Sequence, residues 1–236
     1  MKKSHIATLI VFLVLIPLTL ILGSRLSGRA FYVTSTLVIV ELLIPFFLAF
    51  EGRRPQAREL VVLAVMCALA VAGRVAIPIP NFKAIFGIIM VAGIAFGPES
   101  GFLVGAISAL ASNFFYSQGP YTPWQMMAYG AGGMLAGFVF AQGRLPRKPV
   151  IMGIFGFLAV TFFVGPLLDT CSVFLVMSRI TLKGAMAFYI SGFPVNLRQA
   201  GTTAIVLLVL GKPLLEKLDR IKTKYGILDD EGRKEA

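Results

Sequence analysis

Eight apolar runs, most of them close to bilayer-crossing length, leave this chain few folds to choose from. A hydrocarbon core of about 30 Å takes roughly 20 helical residues. In lipid, the backbone of a spanning segment must satisfy its own hydrogen bonds, which favours helices. The runs fall at about 5–23, 30–50, 59–78, 83–97, 100–116, 124–142, 149–170 and 193–211. With 57% apolar and only 14% charged residues, a soluble fold would need a core out of proportion to the chain. The expected fold is an all-α integral membrane protein.

The first run could be mistaken for a signal peptide, because Lys2 and Lys3 precede it. It is longer than the usual signal core of about 7–15 residues, and no small-x-small cleavage site follows, so it reads as a retained span. The polar segment Glu51–Glu59 is the clearest boundary. It divides the chain into an N-terminal transmembrane hairpin (1–50), a cytoplasmic linker (51–58), a six-helix core (59–212) and a cytoplasmic tail (213–236). In the tail, Leu214, Leu215, Leu218, Ile221 and Tyr225 recur at helical spacing among Lys and Arg. That pattern fits a helix on the inner membrane surface or a continuation of the last span. The last residues, DDEGRKEA, are expected to be disordered.

The net charge of +11 does not point to nucleic acid once the charges are placed. An even number of spans puts both termini on one side. If that side is the cytoplasm, 15 of the 22 Lys and Arg residues lie inside. Arg25, Arg29, Arg74, Lys83, Arg179, Lys183 and Arg198 fall at the outer side. The bias obeys the positive-inside rule, and the basic residues read as topology signals and contacts to membrane lipid. The expected location is the plasma membrane, multi-pass, with both termini cytoplasmic.

On the first core span, Ala64, Ala68, Ala72 and Ala76 recur every four residues. That spacing stacks them on one helix face. Small residues in a bilayer let another helix approach closely, so Ala64, Ala68 and Ala72 are expected to be touched by another helix, of this chain or of a partner.

Signatures of catalysis are missing. The sequence has no HExxH, no GxSxG and no GxxxxGK[ST], so zinc-protease, serine-hydrolase and P-loop chemistry have no motif here. The single histidine, His5, reads as interfacial. Cys67 and Cys171 have neither disulfide nor metal spacing. Neither enzyme activity nor a cofactor or metal is expected. Glu41, at mid-depth in the second span, reads as structural. Arg74, Asp169 and Arg198 sit near outer span ends and suit either ion pairs or a cavity lining.

The richest chemistry lies in the expected outer loop FFYSQGPYTPWQMMAYG, Phe114–Gly130. It offers Tyr116, Gln118, Tyr121, Trp124, Gln125 and Tyr129 around Gly119, Pro120 and Pro123, with Asn113 one turn before. Aromatic faces with hydrogen-bonding edges on a stiff turn suit a small molecule bearing rings and polar groups. IPIPNFKAIF adds Asn81, Phe82 and Lys83. SGFPVNLRQAGTT, at the start of the last span, adds Pro194, Asn196, Arg198 and Gln199. The topology puts all three regions on the outer side. The expected substrate-binding residues are Lys83, Asn113, Tyr116, Gln118, Tyr121, Trp124, Gln125, Asn196 and Arg198.

With its alanine strip, IPNFKAIFGIIMVAGIAFGPESGFLVGAISALASNFF stretch, SQGPYTPWQM loop, SGFPVNLRQAGTT segment and KPLLEKLDRIK tail, the chain resembles the S components of energy-coupling factor (ECF) transporters over about residues 57–226. Within that family it is most similar to the cobalamin-type group. That group's pattern often carries an acid after the SGxP turn, where this chain has Asn196. The resemblance implies a six-helix S-component bundle that captures a vitamin-like nutrient, with a corrinoid as the best guess. Its implied partners are a transmembrane coupling protein and two ABC ATPases. A stand-alone secondary transporter, or an assembly protein using the alanine strip for packing, are the alternatives.

Overall fold

The computed structural model describes residues 11–15, 18–19, 30–52, 56–76, 82–141, 143–177 and 180–226. Seven helices account for nearly all of them. Helix α1 is Ala30–Gly52, α2 is Ala57–Val75, α3 is Ile85–Phe96 and α4 is Pro98–Tyr116. Helix α5, Thr122–Ala136, runs on through a π-helical turn at Gly137–Ala141. Helix α6 is Pro149–Val176 and α7 is Leu182–Tyr225, each carrying an internal π-helical turn. No strand occurs among the described residues.

Helix α3 is the axis of the bundle. All twelve of its residues are buried, as expected of a helix that is apolar all round. At about 18 Å it is well short of a bilayer core, so the expected span at 83–97 is a short central helix. Its last carbonyls are satisfied from two directions. Arg147 donates to the Ile94 carbonyl at 3.2 Å and Lys222 to the Ala95 carbonyl at 2.6 Å, placing cations where the helix dipole is negative. Asp219 ties Arg147 back to α7 at 3.4 Å.

A single residue, Gly97, separates α3 from α4. Its φ of 95° and ψ of 174° lie in a region essentially restricted to glycine, and Pro98 then opens α4 where no backbone donor is needed. The reversal brings α3, α4 and α5 together along a seam of glycines. A Cβ on Gly93 would sit 2.1 Å from the Gly133 carbonyl oxygen, and one on Gly105 would sit 2.4 Å from that of Tyr129.

Helices α6 and α7 lock through polar side chains set against glycine. Asn196 Nδ2 donates to Asp169 Oδ2 at 2.7 Å, with the Asn196 side chain against Gly165 and the Asp169 carboxylate against Gly192. The hydroxyls of Thr170 and Tyr189 meet at 2.8 Å. Outward from α6 run Val150, Ile154, Leu158 and Phe162, between 48% and 69% exposed, an apolar stripe suited to lipid.

Among the described residues, two helices, α6 and α7, are both long and apolar enough to cross a membrane by length and composition. Two expectations about elements need correction. The last span begins at Leu182 rather than 193 and continues without a break to Tyr225, over 44 residues. SGFPVNLRQAGTT is therefore helical with Pro194 inside it, and the tail continues the same helix. The long loop 114–130 shrinks to 117–121, because α5 starts at Thr122. Lys2, Lys3, His5, Arg25, Arg29, Arg53, Arg54, Asn81, Arg179, most of the first expected span and the DDEGRKEA tail lie outside the described residues.

Candidate functional site

The turn between α4 and α5 is built to hold a fixed shape. Ser117 takes φ 80°, unusual for a residue with a side chain. Thr122 compensates from the start of α5: its hydroxyl accepts from the Gly119 amide at 3.2 Å and donates to Gln118 Oε1 at 2.9 Å. Asn113 Nδ2 donates to that same hydroxyl at 3.1 Å. Tyr121 Oη donates back to the Ser117 carbonyl at 2.7 Å. The result directs Tyr121 and Gln125 toward the end of α2.

There they meet a cluster of cations and rings. Arg74, in the last turn of α2, donates to Ser112 Oγ and, at 2.9 Å, to Asn113 Oδ1. Its guanidinium lies 5.0 Å from the ring centre of Tyr116 and 5.6 Å from that of Tyr129, within the range of cation–π attraction. Lys83 Nζ donates to Tyr116 Oη at 3.2 Å, and Tyr116 Oη donates to the Arg74 carbonyl at 3.0 Å. Tyr129 packs edge-on to Phe86 with centroids 4.6 Å apart.

These groups surround a cavity of about 480 Å³, within the usual range for a small-molecule site. Arg74, Lys83, Tyr116, Tyr121, Gln125 and Tyr129 form one side of it; Leu168, Cys171, Ser172 and Leu175 of α6 and Gln199 of α7 form another. No acidic side chain lines it among the described residues. Two buried acceptors, Gln125 Oε1 and Gln199 Oε1, have no hydrogen-bond partner among the described residues. Unpaired buried carbonyls are costly, and two of them lining one cavity supply acceptors to a bound molecule carrying N–H or O–H groups. Each amide group also carries two N–H donors, so Gln125 and Gln199 can donate as well as accept.

Of the residues expected from sequence, Lys83, Tyr116, Tyr121 and Gln125 line the cavity. Asn113 is fully buried behind Arg74 and Thr122. Gln118 bonds the Leu110 carbonyl and Thr122 instead. Trp124 stacks on Phe174 at 5.5 Å, one layer behind the lining. Asn196 is held by Asp169. Arg198 is exposed and off the cavity, because one helical step from Gln199 turns a side chain by about 100°. Reading residue types missed the α6 wall, although Leu168, Cys171, Ser172 and Leu175 carry the i, i+3, i+4, i+7 spacing of one helix face.

The alanine strip lies elsewhere. Ala64, Ala68, Ala72 and Ala76 are all exposed on α2. Ala68, Ala72 and Ala76 border an open apolar groove with Val71, Ala111 and Phe115.

Among known proteins, the model of one family, described as ECF-type riboflavin transporter, S component, matches residues 55–216. The match supports the S-component resemblance and gives no support to the cobalamin-type subgroup. No curated protein and no solved structure matches.

Proposed function

The chain belongs to the S components of ECF-type riboflavin transporters, the substrate-binding membrane subunits of ATP-driven importers, and from that premise we propose that its cavity captures riboflavin or a closely related flavin. The observation that carries this reading is the pair of unpartnered glutamine acceptors in a cavity flanked by Tyr116, Tyr121 and Tyr129. A flavin is a flat tricycle with apolar faces, a polar edge of ring N–H and carbonyl groups, and a chain of hydroxyls. The tyrosine faces and Phe86 suit the ring. The glutamine carbonyls accept from N–H and O–H, and Arg74 and Lys83 donate to ring carbonyls. A volume of about 480 Å³ is commensurate with such a molecule and small for a corrinoid, whose macrocycle also carries a nucleotide loop.

Delivery needs partners. Ala64, Ala68 and Ala72 supply a smooth exposed strip on α2 for a helix of the coupling protein, with two ABC ATPases supplying the energy. Arg58 opens α2 and reaches the Tyr225 carbonyl, and Arg147 pairs with Asp219; both lie at the end of the bundle away from Arg74 and the cavity, which favours a cytoplasmic position for that end. Cells expressing the chain with a coupling protein and ATPases should take up labelled riboflavin. Excess unlabelled riboflavin should abolish the signal and excess cobalamin should leave it intact. Competition by cobalamin alone would reverse the substrate assignment.

A further inference from the structure

The family match begins at residue 55, so α1 stands outside the common core. It is nevertheless packed directly behind the cavity wall. Helix α1 packs on α4, α5 and α6, three of the helices that frame the site. Ile39 is 7% exposed and sits in one apolar cluster with Trp124 and Cys171, against which Tyr121, Phe174 and Leu175 also pack. Tyr121, Cys171 and Leu175 are themselves cavity-lining. Ile39 thus supports from behind the same groups that face a ligand from the front. One turn earlier, Thr36 Oγ1 donates to the Pro120 carbonyl at 3.4 Å, pinning the turn that carries the positive-φ Ser117. Farther along, Leu43 and Phe47 anchor the helix on Phe102 of α4, Phe47 edge-on at 6.3 Å. The opposite face of α1, with Val33, Leu37, Val40 and Ile44, is exposed.

We propose that α1 is a positioning element of the ligand cavity, with Ile39 and Thr36 holding Trp124 and the 117–121 turn so that Tyr121 and Cys171 close one wall. The proposal rests on the reading that this cavity is the ligand site. Its physical content is packing: truncating Ile39 leaves a void behind Trp124 and Cys171, and neighbours relax into it only in part. Tyr121 and Gln125, on either side of Trp124, then lose their fixed positions, and preorganisation for the ligand is lost with them.

The test uses the full chain in nanodiscs. Trp124 is the single tryptophan, so its emission reports the packing without ligand. Ile39→Ala should shift that emission to the red and weaken riboflavin binding about tenfold, Thr36→Val about threefold. Ile39→Val should restore both readouts. Val40→Ala, on the exposed face, should leave both at wild-type values. If Ile39→Ala behaves as Val40→Ala does in both readouts, the proposal is overturned. If Ile39→Ala does not elute as a single species, Thr36→Val carries the test, and an affinity equal to that of Val40→Ala overturns the proposal. Should the wild-type chain fail to bind riboflavin, the substrate reading falls, and the Trp124 emission of Ile39→Ala against Val40→Ala decides the role of α1 alone.

Discussion

Gln125 and Gln199 come from α5 and α7, with the whole of α6 between them in sequence, yet each presents to one cavity a buried carbonyl with no partner among the described residues. Replacing either by Leu keeps the approximate volume and removes the acceptor. Each replacement should weaken riboflavin binding by roughly ten- to a hundredfold and leave the thermal midpoint unchanged or raised, because an unsatisfied group is gone. Equal affinity in both variants, by titration, would show that the glutamines do not touch the ligand. Arg74 is different, because it serves the fold as well as the cavity. Arg74→Met strands the Asn113 carbonyl oxygen, which is fully buried and accepts from Arg74 at 2.9 Å. The expected cost is about 1–3 kcal/mol of stability together with weaker binding. A Met variant that melts with the wild type would contradict that double role. The aromatic and polar residue types of 116–125 raised the expectation of a cavity lining, and Tyr116, Tyr121 and Gln125 do line one. The orphaned glutamines did not, since a missing partner is a property of three dimensions that no spacing records.

At the scale of elements, the close seam of α3, α4 and α5 sets the shape of everything above it. Gly101 faces the Gly133 carbonyl across 2.5 Å from where a Cβ would stand. Backbone cannot rotate away as a side chain can, so Gly101→Val should cost about 3 kcal/mol or more. Chemical denaturation in detergent would show this, and a loss under 1 kcal/mol would mean the helices part more easily than their packing implies. Helix starts at Pro98 and Pro149 were legible in the sequence, because proline is favoured where no amide partner is needed. The course of α7 was not. Pro194, Asn196, Arg198 and Gln199 interrupt the apolar run and read as the entry to the last span, with nothing helical before it. The helix continues because Asp169 and the glycine contacts of α6 hold that stretch in place, a tertiary effect that overrides local preference. The same override placed Asn196 against Asp169 and turned Arg198 away from the site.

Across the whole molecule, the cavity and the alanine strip occupy different surfaces. The cavity lies among α2, α3, α4, α5, α6 and α7, whereas the alanine strip looks outward from α2. Ala68→Leu should therefore abolish co-purification with the coupling protein and ATP-dependent uptake while riboflavin affinity stays within about twofold of wild type. Loss of binding together with loss of assembly would mean that the two surfaces are one unit. The membrane character was legible from the apolar runs, and the S-component family through the resemblance carried mainly by the SQGPYTPWQM loop and the KPLLEKLDRIK tail. The subgroup was not, since size selection by a cavity depends on how six helices pack. The central claim is that this cavity holds a flavin, and direct titration of the purified chain with riboflavin tests it most simply. Trp124 stacks beside the lining, so the account predicts saturable quenching of its emission together with quenching of the flavin, at one ligand per chain, with cobalamin producing neither. No saturable change with riboflavin, alongside saturable binding of a corrinoid, would contradict it.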